Sequence, residues 1–288
     1  LTADEEHDLY KISSHGTTCK ICAPLEGRVY SKSGKDPNFP PLSSAFGKID
    51  PTGPNDLTNS YLNIHPNCLH VLTPWTPAGR SEEEIQKIID FSSFKKNPPA
   101  IDPRTQKQID TYRKKETARA DWLRDYRQWE TYRMTLGDQV PKTFETFRKH
   151  KRLGDEKYRI WKLDVKRQND LLNHPDKALP HAETATATEA KFTKYFFHPE
   201  SKDGYPKGLS FQSRLGYNIN NWEEMRDEIL KAAKKYPATH RNSDRYGDRY
   251  SQLVILQGKK GTPANVLLAW NVTPEGETRL TTAHMEEI

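Results

Sequence analysis

The sequence is poor in cysteine and in long apolar stretches, and both shortages exclude classes of protein. Three cysteines occur among 288 residues. Their small, odd number argues against a disulfide framework and favours a metal site in a reducing compartment. No apolar run approaches the roughly 20 residues that a membrane-spanning helix needs, and no secretory leader is visible. We therefore expect no membrane partner.

The chain is also short of apolar residues for its length. Hydrophobic residues make up 34% of the sequence and charged residues 29%, so we expect several small cores joined by solvated helix. The formal net charge is +6, and residues 101–177 hold 20 Lys and Arg against 13 Asp and Glu. This excess allows contact with nucleic acid or another acidic partner. A solvated helical surface is the plainer explanation.

Turn formers and helical periodicity divide most of the chain into three segments. Residues 1–95 are rich in Gly and Pro, which predicts short strands and loops, with one amphipathic helix at 81–90 that has Ser as its N-cap. Residues 104–172 carry aromatic residues at three- and four-residue spacing among many charges, which predicts a basic helical segment broken near Gly137. Residues 173–189 have the composition of a mobile linker.

Residues 190–288 have the mixed pattern of a compact α+β domain. An amphipathic helix is predicted at 222–235 and a strand at 250–257. Residues 266–272 and 278–282 predict an antiparallel pair joined by a turn that contains Pro and Gly. The predicted fold class is therefore multidomain α+β, with a small metal knuckle, a charged helical segment and a C-terminal domain.

All three cysteines fall in two motifs that suit a closed metal site. Cys19 and Cys22 form a Cys-x-x-Cys pair, which can present two thiolates from one tight turn, and residues 65–70 read His-Pro-Asn-Cys-Leu-His. Three cysteines with one histidine are usual ligands of structural zinc, so we expect a structural rather than a catalytic ion. The predicted ligands are Cys19, Cys22, Cys68 and one histidine, with His70 narrowly favoured over His65 and His15 also near in sequence. Unligated buried thiols are the alternative.

These motifs belong to a longer series. It comprises Ser-His-Gly-x-x-Cys-x-x-Cys-Ala-Pro-Leu-Glu-Gly-Arg-Val-Tyr at 14–30, the histidine and cysteine motif at 65–70, Gly-Arg-Ser-Glu-Glu-Glu at 79–84, Asp-Pro-Arg at 102–104, Gln-Trp-Glu-x-Tyr at 128–132 and Leu-Gly-Asp-x-Val-Pro-Lys-Thr-Phe at 136–144. Over residues 10–170 the chain resembles the C-terminal part of phage minor capsid proteins, the head morphogenesis family related to the F protein of phage Mu. The resemblance implies a protein present in few copies inside the virion, with portal and capsid proteins as partners. In that setting the basic helical segment could face packaged DNA. It also implies that a larger N-terminal part precedes these residues.

The C-terminal segment carries a second set of motifs. They are Lys-Phe-Thr-x-Tyr-Phe-Phe at 191–197, Gly204, Lys207, Leu-Gly-Tyr at 215–217, Asn-Trp-Glu-Glu at 221–224, Tyr-Gly at 246–247, Trp270 and Arg-Leu-Thr-Thr-Ala at 279–283. With them, residues 188–288 resemble an uncharacterised domain at the C-termini of bacterial polymorphic toxins and some phage head proteins. The resemblance implies a barnase/EndoU/RelE-like fold, in which metal-independent ribonucleases are common. RNA in the host cytoplasm is then the expected substrate.

Cleavage of RNA without a metal needs a base for the 2′-hydroxyl proton, an acid for the leaving oxygen and cations for the phosphorane. Histidine can act as base or acid near neutral pH, lysine and arginine supply charge, and hydroxyls can donate to phosphate oxygens. The candidate catalytic residues are Lys207, His198, Arg241, Tyr246, Thr282 and His284, together with His240. Lys207 is the strongest candidate, because the resemblance marks its position.

Several of these candidates also have a purely structural explanation. His198 precedes a proline and suits a turn, and residues 237–249, which include Arg241, predict a solvated loop. The related domains often have Asn-Pro-x-His where residues 198–201 read His-Pro-Glu-Ser, so a catalytic histidine is displaced or absent. The alternative function is therefore a structural virion protein whose C-terminal domain binds portal, DNA or a protein without catalysis.

Overall fold

A computed structural model of the chain describes residues 7–45, 64, 69–259 and 263–288. Its architecture is mixed α and β, which confirms the predicted α+β class. The chain divides into two compact units, Leu1–Trp122 and Leu123–Ile288. None of the described helices combines the length and the apolar character needed to cross a membrane.

A small antiparallel sheet organises the first unit. Its strands, in the spatial order β2-β1-β3, are β1 Leu9–Ile12, β2 Val29–Ser31 and β3 Leu72–Pro74. Helix α1 spans Glu82–Ser92, and a capping box between Ser81 and Glu84 satisfies backbone N–H groups at its start. The predicted short strands and the predicted capped helix are confirmed.

Arg28 joins two loops inside the first unit. The residue is 2% exposed. Its Nε donates to the backbone oxygen of Pro24 at 2.6 Å, and its Nη1 donates to that of Asn97 at 2.7 Å. The rings of Phe91 and Phe94 flank the guanidinium, with centroids 5.7 and 5.3 Å from its central carbon. The guanidinium therefore ties the loop before β2 to the segment that follows α1.

Three helices follow in the chain. They are α2 Gln106–Leu136, α3 Phe144–Leu153 and α4 Glu156–Asn173. The predicted break near Gly137 is confirmed, because Gly137–Gln139 form a 3-10 turn. A second break, which the periodicity does not indicate, falls at Gly154, whose φ of 58° is left-handed and favours glycine.

An antiparallel sheet forms the base of the C-terminal domain. Its strands, in spatial order, are β4 Ala238–Asp244, β5 Gly247–Leu256, β6 Ala264–Val272 and β7 Thr278–Met285. The predicted strand and the predicted antiparallel pair are confirmed. The predicted loop at 237–249 is wrong, because nearly all of these residues belong to β4, the hairpin turn and the start of β5. Nearly all of β4 is exposed at the sheet edge, so it lacks the apolar alternation by which a strand is recognised.

Two helices and a π-helical turn pack into one core with this sheet. They are the turn Lys191–Phe196, α5 Tyr205–Leu215 and α6 Trp222–Ala233. Phe211, Met225 and Trp270 are fully buried in this core. Helix α6 confirms the amphipathic helix predicted at 222–235.

Helix α4 contributes to the same core, although it lies in the predicted charged segment. Ile160 is 1% exposed within the core. Tyr236 donates a hydrogen bond from its Oη to Asp164 at 2.7 Å, and burial raises the pKa of Asp164 above its ordinary value. The C-terminal core therefore includes residues of α4, which precedes the domain predicted at 190–288.

Part of the segment 173–189, predicted as a mobile linker, pairs with β7. Leu179 is 2% exposed within the core. The backbone N–H of Thr186 donates to the oxygen of Thr278 at 2.9 Å, and that of Leu280 donates back to Thr186 at 2.8 Å. Composition does not reveal these contacts, because backbone groups make them.

Candidate active site

An ammonium group and two hydroxyl groups meet in the C-terminal domain. They belong to Lys207 of α5, Tyr195 of the π-helical turn and Thr282 of β7. Lys207 Nζ donates to Tyr195 Oη at 3.2 Å and to Thr282 Oγ1 at 3.2 Å. The three side chains are partly exposed, so a ligand can reach them. We call these three residues and Lys191 the Lys207 cluster.

The cluster is positively charged around the tyrosine. Lys191 Nζ lies 4.7 Å and Lys207 Nζ 5.6 Å from the centroid of the Tyr195 ring. Partial burial acts to raise the pKa of Tyr195, but the hydrogen bonds with Lys207 and Thr282 and the charges of both lysines outweigh it. The pKa of Tyr195 therefore lies below its ordinary value. Such a cluster can bind a phosphate and can accept a proton.

Close backbone packing places Lys207 beside Tyr195. A Cβ at Gly204 would lie 2.6 Å from the carbonyl carbon of Tyr195, and one at Gly208 would lie 2.7 Å from that of Phe196. Both distances are shorter than a real Cβ contact allows. Gly204 and Gly208 lie four residues apart on one helix face. Because neither has a side chain, the start of α5 can cross the π-helical turn closely.

An irregularity in β7 accompanies Thr282 at the cluster. The β6–β7 register pairs Ala269 with Thr282 and Trp270 with Leu280, which leaves Thr281 between the paired residues of β7. A bulge of this kind bends a strand and redirects side chains, and it is frequent beside active sites. Thr282 reaches the cluster from the edge strand of the sheet.

His284 lies two residues beyond Thr282 on β7. Alternate residues of a strand share a face, so His284 is on the face of Thr282. Its Nε2 lies 3.0 Å from Glu286 Oε1. Of the predicted catalytic residues, the structure thus brings Lys207 and Thr282 into contact and places His284 next along the strand.

The other predicted catalytic residues lie elsewhere in the domain. His198 is exposed in the turn after the π-helical turn. Arg241 and His240 are on β4, three strand positions from β7, which corresponds to roughly 14 Å. Tyr246 is 57% exposed at the hairpin turn between β4 and β5. The structure does not join these four residues to the Lys207 cluster.

The Cys-x-x-Cys motif forms a tight turn in the first unit. The backbone N–H of Cys22 donates to Cys19 Sγ at 3.4 Å, and Cys22 is 1% exposed. A hydrogen bond to sulfur favours the thiolate, which is the form that binds metal. These two residues therefore fit a pair of zinc ligands.

His70 is held by a carboxylate in the same unit. It is 7% exposed, its Nε2 contacts Glu26 Oε1, and the ring of His15 packs edge-on at 4.4 Å. A metal-binding histidine commonly uses its second nitrogen in this way. Cys68 and His65 lie outside the described residues, and no group of three or more potential ligands is present among those that are described.

Sequence reasoning missed two members of the cluster as catalytic candidates, Tyr195 and Lys191. Their four-residue spacing places them on one face of a helical turn, and the Gly204 and Gly208 pair indicates close backbone packing nearby. Neither signal indicates that a lysine 12 residues further on contacts that turn.

Comparisons with known proteins give one family model and a structural match. No curated protein matches the chain. A solved structure, the contact-dependent growth inhibition toxin–immunity protein complex from Klebsiella pneumoniae 342, matches at 17% sequence identity with a TM-score of 0.31, over 37% of this chain and 97% of that chain. At this TM-score the likeness indicates no function by itself. Residues 178–287, which include the whole Lys207 cluster, match the model of a family described as "Domain of unknown function (DUF6883)".

Proposed function

We propose that the C-terminal domain is a toxin-like, metal-independent ribonuclease and that the Lys207 cluster is its active site. The observation that supports this proposal is the position of Lys207 Nζ, 3.2 Å from the hydroxyls of both Tyr195 and Thr282. When a 2′-hydroxyl attacks the neighbouring phosphate, negative charge develops on the phosphoryl oxygens. Fixed cations and hydroxyl donors at those oxygens stabilise the transition state.

The roles follow from the chemistry of each group. Lys207 and Lys191 supply positive charge for the phosphate, and the Thr282 hydroxyl supplies a donor. His284 lies along β7, where it can protonate the leaving oxygen or contact the next nucleotide. RNA is the proposed substrate, because the reaction uses the 2′-hydroxyl that DNA lacks.

The first unit supports a second part of the proposal. The motifs of residues 10–170 favour a phage minor capsid protein that lies in the virion beside portal and capsid proteins. Cys19, Cys22 and Cys68, with His70 as the favoured fourth ligand, would hold a structural zinc ion that stabilises the first unit.

Expression of the full chain in a bacterial host tests the ribonuclease. We expect growth arrest and discrete cleavage of total RNA, both relieved by Lys207→Met. The full chain is needed because Ile160 and Leu179 belong to the core of the C-terminal domain. Lys194→Met is the matched control, since Lys194 is an exposed lysine on the same π-helical turn as Tyr195. Normal growth with intact RNA, from a chain shown to be folded, would favour a domain that only binds.

Elemental analysis of the purified chain tests the zinc site. We expect about one zinc ion per chain, lost in Cys22→Ser together with part of the thermal stability of the first unit. Lys20→Ser, an exposed position within the same motif, should retain the zinc. A metal-free chain whose first unit is folded would contradict the zinc proposal.

A further inference from the structure

We propose that Tyr195 is the general base of the cluster, and that its phenolate accepts the proton of the attacking 2′-hydroxyl. This inference rests on the proposed ribonuclease function and deepens it. The geometry carries it: Lys207 Nζ donates to Tyr195 Oη at 3.2 Å, and the ammonium groups of Lys191 and Lys207 lie 4.7 and 5.6 Å from the centroid of the Tyr195 ring. A phenol oxygen that accepts a hydrogen bond from one ammonium, beside a second ammonium, is stabilised in its anionic form.

The groups that face Tyr195 all act in one direction. Lys191 approaches its ring from the same π-helical turn, and Lys207 approaches from α5. From β7 comes the uncharged Thr282, and His284 lies two residues further along the same strand. The lysines and the threonine all lower the pKa of Tyr195, which therefore titrates below its ordinary value.

The proposed step is a transesterification that balances without a cofactor. The phenolate of Tyr195 takes the proton of the 2′-hydroxyl, and the 2′-oxygen forms a bond to phosphorus. The bond from phosphorus to the 5′-oxygen of the next nucleotide breaks, and that oxygen takes a proton from water or His284. The products are a 2′,3′-cyclic phosphate and a 5′-hydroxyl. The ammonium of Lys207 neutralises the phosphoryl oxygens.

His284 is the competing candidate for the general base. The pH dependence of the cleavage rate distinguishes it from Tyr195. A histidine base has an ordinary pKa near 6.5 and a tyrosine base one near 10. With Tyr195 as base, log kcat/KM for a single-stranded oligoribonucleotide rises by about one per pH unit through neutral pH and bends at a pH above the histidine range. Tyr195→Phe keeps the partly buried ring, lowers kcat/KM about 10²–10⁴-fold and abolishes this rise.

The test measures kcat/KM between about pH 5 and pH 10 for the full chain and for three variants. Tyr205→Phe, the same change at another partly exposed tyrosine, should leave the profile unchanged. His284→Gln should lower the rate but leave the bend assigned to Tyr195. Subtracting the absorbance of Tyr195→Phe from that of the wild-type chain isolates the phenolate of Tyr195. This signal should appear at a lower pH than the signal isolated in the same way with Tyr205→Phe.

The outcomes distinguish this inference from the proposed function. A folded wild-type chain that leaves RNA intact at every pH overturns both. RNA cleavage that Tyr195→Phe leaves at the wild-type rate overturns only the role of Tyr195. A bend near pH 6.5 that His284→Gln removes would assign the base to His284 instead.

Discussion

Gly208→Ala should destabilise the contact between α5 and the π-helical turn, on which the Lys207 cluster depends. In a helix alanine is ordinarily favoured over glycine by about 1 kcal/mol. Here the new Cβ would overlap the carbonyl group of Phe196, and backbone atoms cannot move aside as a flexible side chain can. We expect a loss of about 3 kcal/mol, the upper part of the usual range for overpacking.

Thermal and chemical denaturation measure this loss. For a unit of this size about 3 kcal/mol corresponds to a decrease in Tm of roughly 6–12 °C. RNA cleavage should fall as well, because α5 must move away from the π-helical turn and take Lys207 from Tyr195. Leu209→Ala is the matched control on the same helix, since Leu209 is 46% exposed and its removal should cost less than about 0.5 kcal/mol. A Gly208→Ala chain as stable as the wild type would contradict the close crossing of α5 and the π-helical turn.

Arg28→Ala should destabilise the first unit by about 3–5 kcal/mol. It removes the donors to the backbone oxygens of Pro24 and Asn97, and each buried acceptor left without a partner costs about 1–3 kcal/mol. It also leaves a cavity between the rings of Phe91 and Phe94. Arg28→Lys should restore little of this stability, because an ammonium lacks the planar fork that reaches both loops.

Denaturant unfolding, followed by a probe in the first unit, measures the effect. The control is Arg80→Ala, because Arg80 also lies over an aromatic ring, that of Trp75, but is exposed. Its removal should cost at most about 1 kcal/mol. An equal loss of stability in both variants would show that burial of Arg28 is not what stabilises the loops.

The fold was predictable wherever an element has one buried face and clear ends. Helix α1 is marked by its capping residues, and α6 and the β6–β7 pair by their apolar periodicity. Strand β4 was missed because nearly all of it is exposed. The contribution of Ile160 to the C-terminal core was missed because a charged helix does not show which neighbour its few apolar residues contact.

The candidate site was only partly predictable, for a related reason. The sequence indicates Lys207 and Thr282 as separate candidates, but their contact joins α5 to an edge strand 75 residues away. In the sequence Tyr195 is one aromatic residue of a motif, and only its position beside two ammonium groups makes it a candidate base. Contacts of this kind depend on how helices and strands pack against one another. The residue spacing within a single helix or strand does not determine that packing.

Incubation of the purified full chain with RNA and DNA oligonucleotides of the same sequence tests the central claim most directly. A site formed by Lys207, Tyr195 and Thr282 should cut the RNA to products ending in a 2′,3′-cyclic phosphate and leave the DNA intact. Lys207→Met should reduce the rate about 10²–10³-fold. Intact RNA with a folded chain, cleavage of the DNA, or an unchanged rate in Lys207→Met would contradict the claim.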